Sequence, residues 1–112
     1  MIIRYSFIQI NRVGGESLKK LLWYLIAGTR GGHTRALILK LLIDRPYNAN
    51  QLTEAMNMDY KTIRHHLDIL VKNGVITMEG DKYGAMYFLS KAMEANLNEF
   101  NQIWEKIDKQ SK

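Results

Sequence analysis

The sequence predicts a mainly α domain with a β-hairpin, an α+β arrangement that carries further helical segments at both ends. Three observations support this. Two helical patterns meet at a tight turn between Asn48 and Gly74, two β-prone runs follow around a glycine-bearing loop, and apolar residues spaced three and four apart recur before and after them.

At 112 residues and 46% hydrophobic composition, the chain supports one small domain with a single core and not two. The absence of cysteine excludes a disulfide framework, a thiolate metal site and a cysteine nucleophile, and agrees with a reducing compartment. The longest apolar run, Leu21 to Ala27, falls short of the roughly 18 residues that span a bilayer. The N-terminus also lacks a signal-peptide layout, so the expectation is a cytoplasmic protein with no membrane partner. A net charge of +5 and a pI near 9.5 favour an acidic partner such as nucleic acid. The charge is uneven: residues 1–40 hold seven bases against Glu16, a net +6, while the remainder holds nine bases against ten acids, a net −1.

Taken in order, Ile2 to Val13 is rich in β-branched and aromatic residues and roughly alternates, which predicts a strand ended by Gly14-Gly15. Its parity shifts between Phe7 and Ile8, so either a bulge or cover on both sides is expected, with pairing to another chain as one outcome. Glu16 to Ala27 reads as a helix: Leu18, Leu21, Leu22, Leu25 and Ile26 share a face that Trp23 and Tyr24 widen, which points to a subunit interface. Gly28 to Thr34 breaks the pattern with three glycines. It is either a flexible turn or a phosphate contact through Arg30 or Arg35, although neither GxGxxG nor a P-loop is present. Arg35 to Ile43 is the next helix, with Leu37, Ile38, Leu41 and Leu42 as its stripe and Asp44-Arg45-Pro46 as its stop.

Asn48 and Gln51 have the spacing of a capping box for a short helix bearing Ala49, Leu52, Ala55 and Met56. After Asn57-Met58-Asp59, a second helix opens at Tyr60 and runs to the glycine stop at Gly74. Ile63, Leu67 and Leu70 fall within about 60° on its wheel and predict a core stripe. The opposite side presents Lys61, His65, Asp68 and Lys72, with Arg64 on one flank and Thr62 and His66 on the other. Such a donor-rich second helix is the geometry that enters a DNA major groove. The β-prone runs Val75 to Glu79 and Ala85 to Leu89 then make a hairpin, and a hairpin directly after a recognition helix is the wing of a winged helix-turn-helix. Lys82 at the wing tip either touches a phosphate or simply helps close the core. Ser90 caps a last helix to about Lys109, in which Met93, Leu97, Phe100, Trp104 and Ile107 follow a 4, 3, 4, 3 spacing, a coiled-coil seam that can also pack on the first helix.

WYLIAGTRGGHTRALILKLL, PYNANQLTEAMNMDYKTIRHHLDILVKNGVI and the hairpin ending YFLS together resemble the ArsR-type winged helix-turn-helix transcriptional regulators, and within them archaeal members, from about Trp23 to Ser90. The resemblance implies a homodimer with Asp59 to Gly74 as recognition helix, and Asp59, Tyr60, Lys61, Thr62, Arg64 and His65 facing or flanking DNA. The chain departs from the family's metal sensors, since it has no cysteine pair and no histidine on the terminal helix. His65 and His66 are adjacent and diverge by about 100°, so they do not form a chelating pair.

The expected organisation is therefore a strand-like arm over 1–16, an N-terminal helix at a dimer interface over 17–28, the DNA-binding unit over 29–90 and a dimerisation helix over 91–112. The expected partners are double-stranded DNA and a second copy. Tyr60, Lys61, Thr62, Arg64, His65, Arg30, Arg35 and Lys82 would contact DNA, and Leu21, Leu25, Met93, Leu97, Phe100, Trp104 and Ile107 would form the dimer interface. Neither cofactor nor metal is expected, and no nucleophile, base and orienter set suggests an enzyme. The alternative is a protein-binding winged helix, favoured by the acidic wing and exposed Asp68. A charged His65 would strengthen DNA binding as pH falls toward about 6. His66 would make a packing or phosphate contact. Because Asp59 and Asp68 offset much of the recognition helix's charge, phosphate affinity is expected from the basic N-terminal region and from doubling by dimerisation, so truncating residues 1–30 should weaken binding.

Overall fold

The computed structural model describes residues 14–81 and 84–110. The expected strand over Ile2 to Val13 and the wing-tip Lys82 lie outside the described residues. Helix α1 (Gly14–Leu22) begins at the glycines that were expected to end the strand, and passes directly into a π-helical turn over Trp23–Ala27. The Gly28 amide closes that turn by donating to both Trp23 O and Tyr24 O. Helix α2 (Gly32–Asp44) starts three residues earlier than its apolar pattern suggests.

A two-residue strand, β1 (Tyr47–Asn48), leads into α3 (Ala49–Met56). The expected capping box is present: Asn48 Oδ1 accepts from the Gln51 amide at 2.8 Å, and Gln51 Oε1 accepts from the Asn48 amide at 2.9 Å. Asn57 ends α3 in the left-handed region, and Asp59 caps α4 (Tyr60–Lys72). After Gly74, β2 (Ile76–Glu79) and β3 (Met86–Leu89) pair antiparallel with Met78 opposite Tyr87. β1 adds to the other edge of β3 with Tyr47 opposite Tyr87, so the wing is a three-stranded sheet in the order β1-β3-β2. The architecture is a winged helix-turn-helix with helical extensions, as expected.

The terminal helix is divided. Ser90 caps α5 (Lys91–Glu94), and α6 (Leu97–Gln110) begins after a break at Ala95 and Asn96. Asn96 causes the break, since its side-chain amide donates to Ala92 O at 2.8 Å while its backbone amide turns to Met93 O.

One apolar cluster joins all the helices to the sheet. Leu18, Leu22, Leu25 and Ile26 from α1 and the π turn meet Ile38, Leu39 and Leu42 from α2, Ile63, Leu67 and Leu70 from α4, and Phe100 and Ile103 from α6. On α2 the fully buried residues include Leu39, whereas Leu37 and Leu41 of the expected stripe are half-buried. Because α1 and the π turn contribute four core side chains, a truncation through residue 30 would also remove part of the core.

The break at Asn96 also rearranges the expected seam. Met93 and Phe100 are completely buried in the chain's own core, and Leu25 is buried there with them. Leu97, Trp104 and Ile107 lie on its margin with Leu21. A side chain already enclosed by its own fold has no surface to give a partner, so Leu25, Met93 and Phe100 act within the subunit.

Candidate nucleic-acid interface

Helix α4 owes its position to its two ends and its inner stripe. Asp59 accepts from the Thr62 amide at 3.0 Å and from the Thr62 hydroxyl at 2.7 Å. These bonds hold the Asp59 carboxyl below its ordinary range, the Thr62 hydroxyl contributing most. Ile63, Leu67 and Leu70 are fully buried, which fixes the helix's rotation. The outward face therefore carries Tyr60, Lys61, His65, Asp68 and Lys72 in the open, with Thr62 and Arg64 half-buried beside them. Arg64 Nη2 lies 3.8 Å from Asp68 Oδ1, and its guanidinium sits 6.0 Å from the Tyr60 ring.

Five of the expected contact residues, Tyr60, Lys61, Thr62, Arg64 and His65, thus occupy consecutive turns at the exposed start of α4. Arg30 is also exposed, on the loop that precedes α2. Arg35 is not: at 3% exposure its guanidinium is spent inside the protein. Its Nε donates to Leu25 O at 2.9 Å, its Nη2 to Thr29 Oγ1 and Arg30 O, and its Nη1 to His66 Nδ1 at 3.0 Å. The expected phosphate contact is thus replaced by an internal tie of the π turn, the 28–31 loop and α4.

His66 is buried rather than on the flank of the outward face. Burial, chiefly, and then the Arg35 and His65 charges hold its imidazole below the ordinary value. The glycines of the loop are explained by this packing. A Cβ on Gly31, whose φ is +86°, would meet His66 Cε1 at 2.7 Å, and one on Gly32 would meet Ile26 O at 1.7 Å. The signal for both inward polar residues was in the sequence: Arg35 shares an i, i+3, i+4, i+7 stripe with Ile38, Leu39 and Leu42, as His66 does with Ile63, Leu67 and Leu70.

Among the described residues no group of three or more His, Asp or Glu side chains converges as a metal site would require. No helix among them is long and apolar enough to cross a membrane.

The segment 32–77, from α2 into β2, matches the model of the arsR family of bacterial regulatory proteins. The whole chain is similar in structure to a probable transcriptional regulator from Pseudomonas aeruginosa, with 25% identity, 92% of this chain and 80% of that one covered, and a TM-score of 0.64. It shares its fold with the transcriptional regulator BldR from Sulfolobus solfataricus, at 16% identity, 94% and 78% coverage and a TM-score of 0.63. The transcriptional repressor BigR from Xylella fastidiosa has the same fold, at 14% identity, 96% and 98% coverage and a TM-score of 0.57. Among curated proteins none matches the chain in sequence.

Proposed function

We propose that the chain is a sequence-specific DNA-binding transcriptional regulator of the ArsR type, of the archaeal group its sequence resembles, acting as a homodimer in the cytoplasm and not as an enzyme. The observation that carries this reading is the outward face of α4, where Tyr60, Lys61, Thr62, Arg64 and His65 stand together on a helix whose rotation and entry are fixed by the core stripe and the Asp59 cap. The arsR-family match over 32–77 supports it. In the proposed complex α4 lies in the major groove, where Lys61, Arg64 and His65 reach base edges. Arg30 and the wing hold the backbone, and the two-fold copy places a second α4 about one helical turn, roughly 34 Å, away.

Gel shifts of the full chain on genomic and random duplexes at two salt concentrations test this. A regulator shows a steep loss of affinity with salt and a fraction that genomic fragments retain against random competitor. Absence of salt-dependent binding at low ionic strength would remove the DNA reading and favour a protein-binding winged helix.

A further inference from the structure

Arg35 and His66 lie 31 positions apart in sequence, yet their side chains meet in a buried contact of 3.0 Å. A guanidinium has only donors to offer, so His66 Nδ1 must be the acceptor and the imidazole proton resides on Nε2. A second proton would have to enter at Nδ1, setting N–H against N–H and cation against cation. Arg35 cannot relieve the conflict by losing its own proton. Nor can it swing away cheaply, because its other nitrogens are tied to Leu25 O, Thr29 Oγ1 and Arg30 O. The ring is confined as well, since Gly31 leaves no room for even one added carbon beside Cε1.

The groups that face His66 offer no compensation. Arg35 comes from α2 and His65 from α4 itself, the His65 and His66 rings lying 5.2 Å apart, and the 28–31 loop contributes Thr29 and backbone. The carboxylates of Glu54 on α3 and Glu79 on β2 are exposed and are not among the groups that act on it. Among the described residues, an imidazolium here would face the Arg35 cation and the His65 ring with no anion to offset them. What can yield is the attachment of the first turns of α4 to the loop.

We propose that the Arg35–His66 contact is a proton-operated latch: a neutral His66 fixes the DNA-facing turns of α4 against the 28–31 loop, and its protonation loosens them and weakens DNA binding. Thr62, Arg64 and His65 lie within one turn of His66, so the loosening acts where the bases would be read. The consequence for DNA rests on the function proposed above, whereas the latch itself does not.

The sign is fixed by the depressed folded-state affinity of His66 for its proton. The latch holds above the unfolded imidazole value of about 6.5 and is lost as pH falls through the lower folded value. His65 stands exposed on the outward face of α4, so it is replaced in the affinity test.

The DNA-free test is amide exchange of the full chain between pH 7.5 and 5, corrected for intrinsic rates, in the wild type, His66→Asn and His66→Gln. Either amide can accept from Arg35 and gain no proton, so one folding variant suffices. The expected result is at least about threefold loss of protection over Tyr60 to His66 in the wild type and none in the variant. Unchanged wild-type protection, or equal loss in the variant, overturns the latch.

The second test measures duplex affinity at fixed salt for His65→Asn and for His65→Asn with His66→Asn. The first should weaken at least about twofold toward pH 5 as His66 takes up its proton, and the double variant should stay flat. A flat profile for His65→Asn overturns the coupling to DNA. Absence of DNA binding by the wild type at every pH defeats the functional reading and leaves the exchange result standing.

Discussion

Arg64 Nη2 and Asp68 Oδ1 lie 3.8 Å apart, one turn along α4, so the guanidinium proposed to read DNA is already half-held by a carboxylate on the same helix. The Asp68 side chain is 70% exposed, which makes the pair worth no more than about 0.5 kcal/mol to the fold. In the proposed complex, however, the Asp68 carboxylate would repel the phosphates.

Asp68→Asn should therefore raise affinity for random-sequence duplex, while thermal unfolding stays within about 0.5 kcal/mol of the parent. Arg64→Ala should cost about 1 to 3 kcal/mol on the preferred sequence and much less on random duplex if Arg64 reads a base. Fluorescence anisotropy on both duplexes measures each change. Equal losses on both would mean that Arg64 contacts only backbone.

Gly32, Gly31 and Gly74 should separate steric contact from backbone strain. An Ala at Gly32 would put its methyl 1.7 Å from Ile26 O, a clash that only displacement of α2 from the π turn can relieve, so loss of the folded state is expected. Gly31→Ala combines a left-handed φ of +86° with a 2.7 Å approach to His66 and should cost several kcal/mol, of the order of 3. Gly74, at φ +74° with nothing within 4 Å of the added carbon, should lose only about 1 kcal/mol. Urea unfolding of the three variants gives the ranking directly.

Tyr87 occupies the centre of the sheet at 1% exposure, and its hydroxyl has no hydrogen-bond partner among the described residues. Burial pushes the phenol above its ordinary value, consistent with a group that gains nothing from ionising there. Removing an unpaired buried hydroxyl relieves its desolvation cost, so Tyr87→Phe should be neutral or stabilise by up to about 1 kcal/mol. A loss of more than that in denaturant unfolding would show that the hydroxyl is satisfied in solution.

The helix pair was legible because its punctuation is local: Asn48 with Gln51, Asp59 with Thr62, and Gly74 each act within four residues of the chain they shape. The π turn was not, because Trp23 to Ala27 is apolar on every side and its periodicity cannot tell 3.6 residues per turn from a wider helix. β1 is two residues long and exists only through β3, which arrives some 40 positions later. Arg35 and His66 stand on core stripes, yet a charged residue there becomes plausible only once its distant partner is known. For the interface the same limit applied at Asn96, whose side chain stops a helix that apolar spacing alone would continue.

That break determines how the proposed dimer should be tested. Trp104 is packed on its inner side by the His33 ring at 5.6 Å and the Lys40 ammonium at 4.8 Å, and Trp23 Nε1 donates to Glu99 on the same helix. Leu97, Trp104, Ile107 and Leu21 remain half-buried along this margin, and Tyr24 of the π turn is 61% exposed. A subunit interface using α6 must use these residues, since Phe100 has no exposed surface. Leu97→Glu should accordingly yield a folded monomer by analytical ultracentrifugation, with native circular dichroism. Phe100→Glu should lose the fold itself, because it leaves a charge unpaired in the core. If Leu97→Glu sediments as the parent does, the margin of α6 is not where two copies meet, and any dimer must form through another surface.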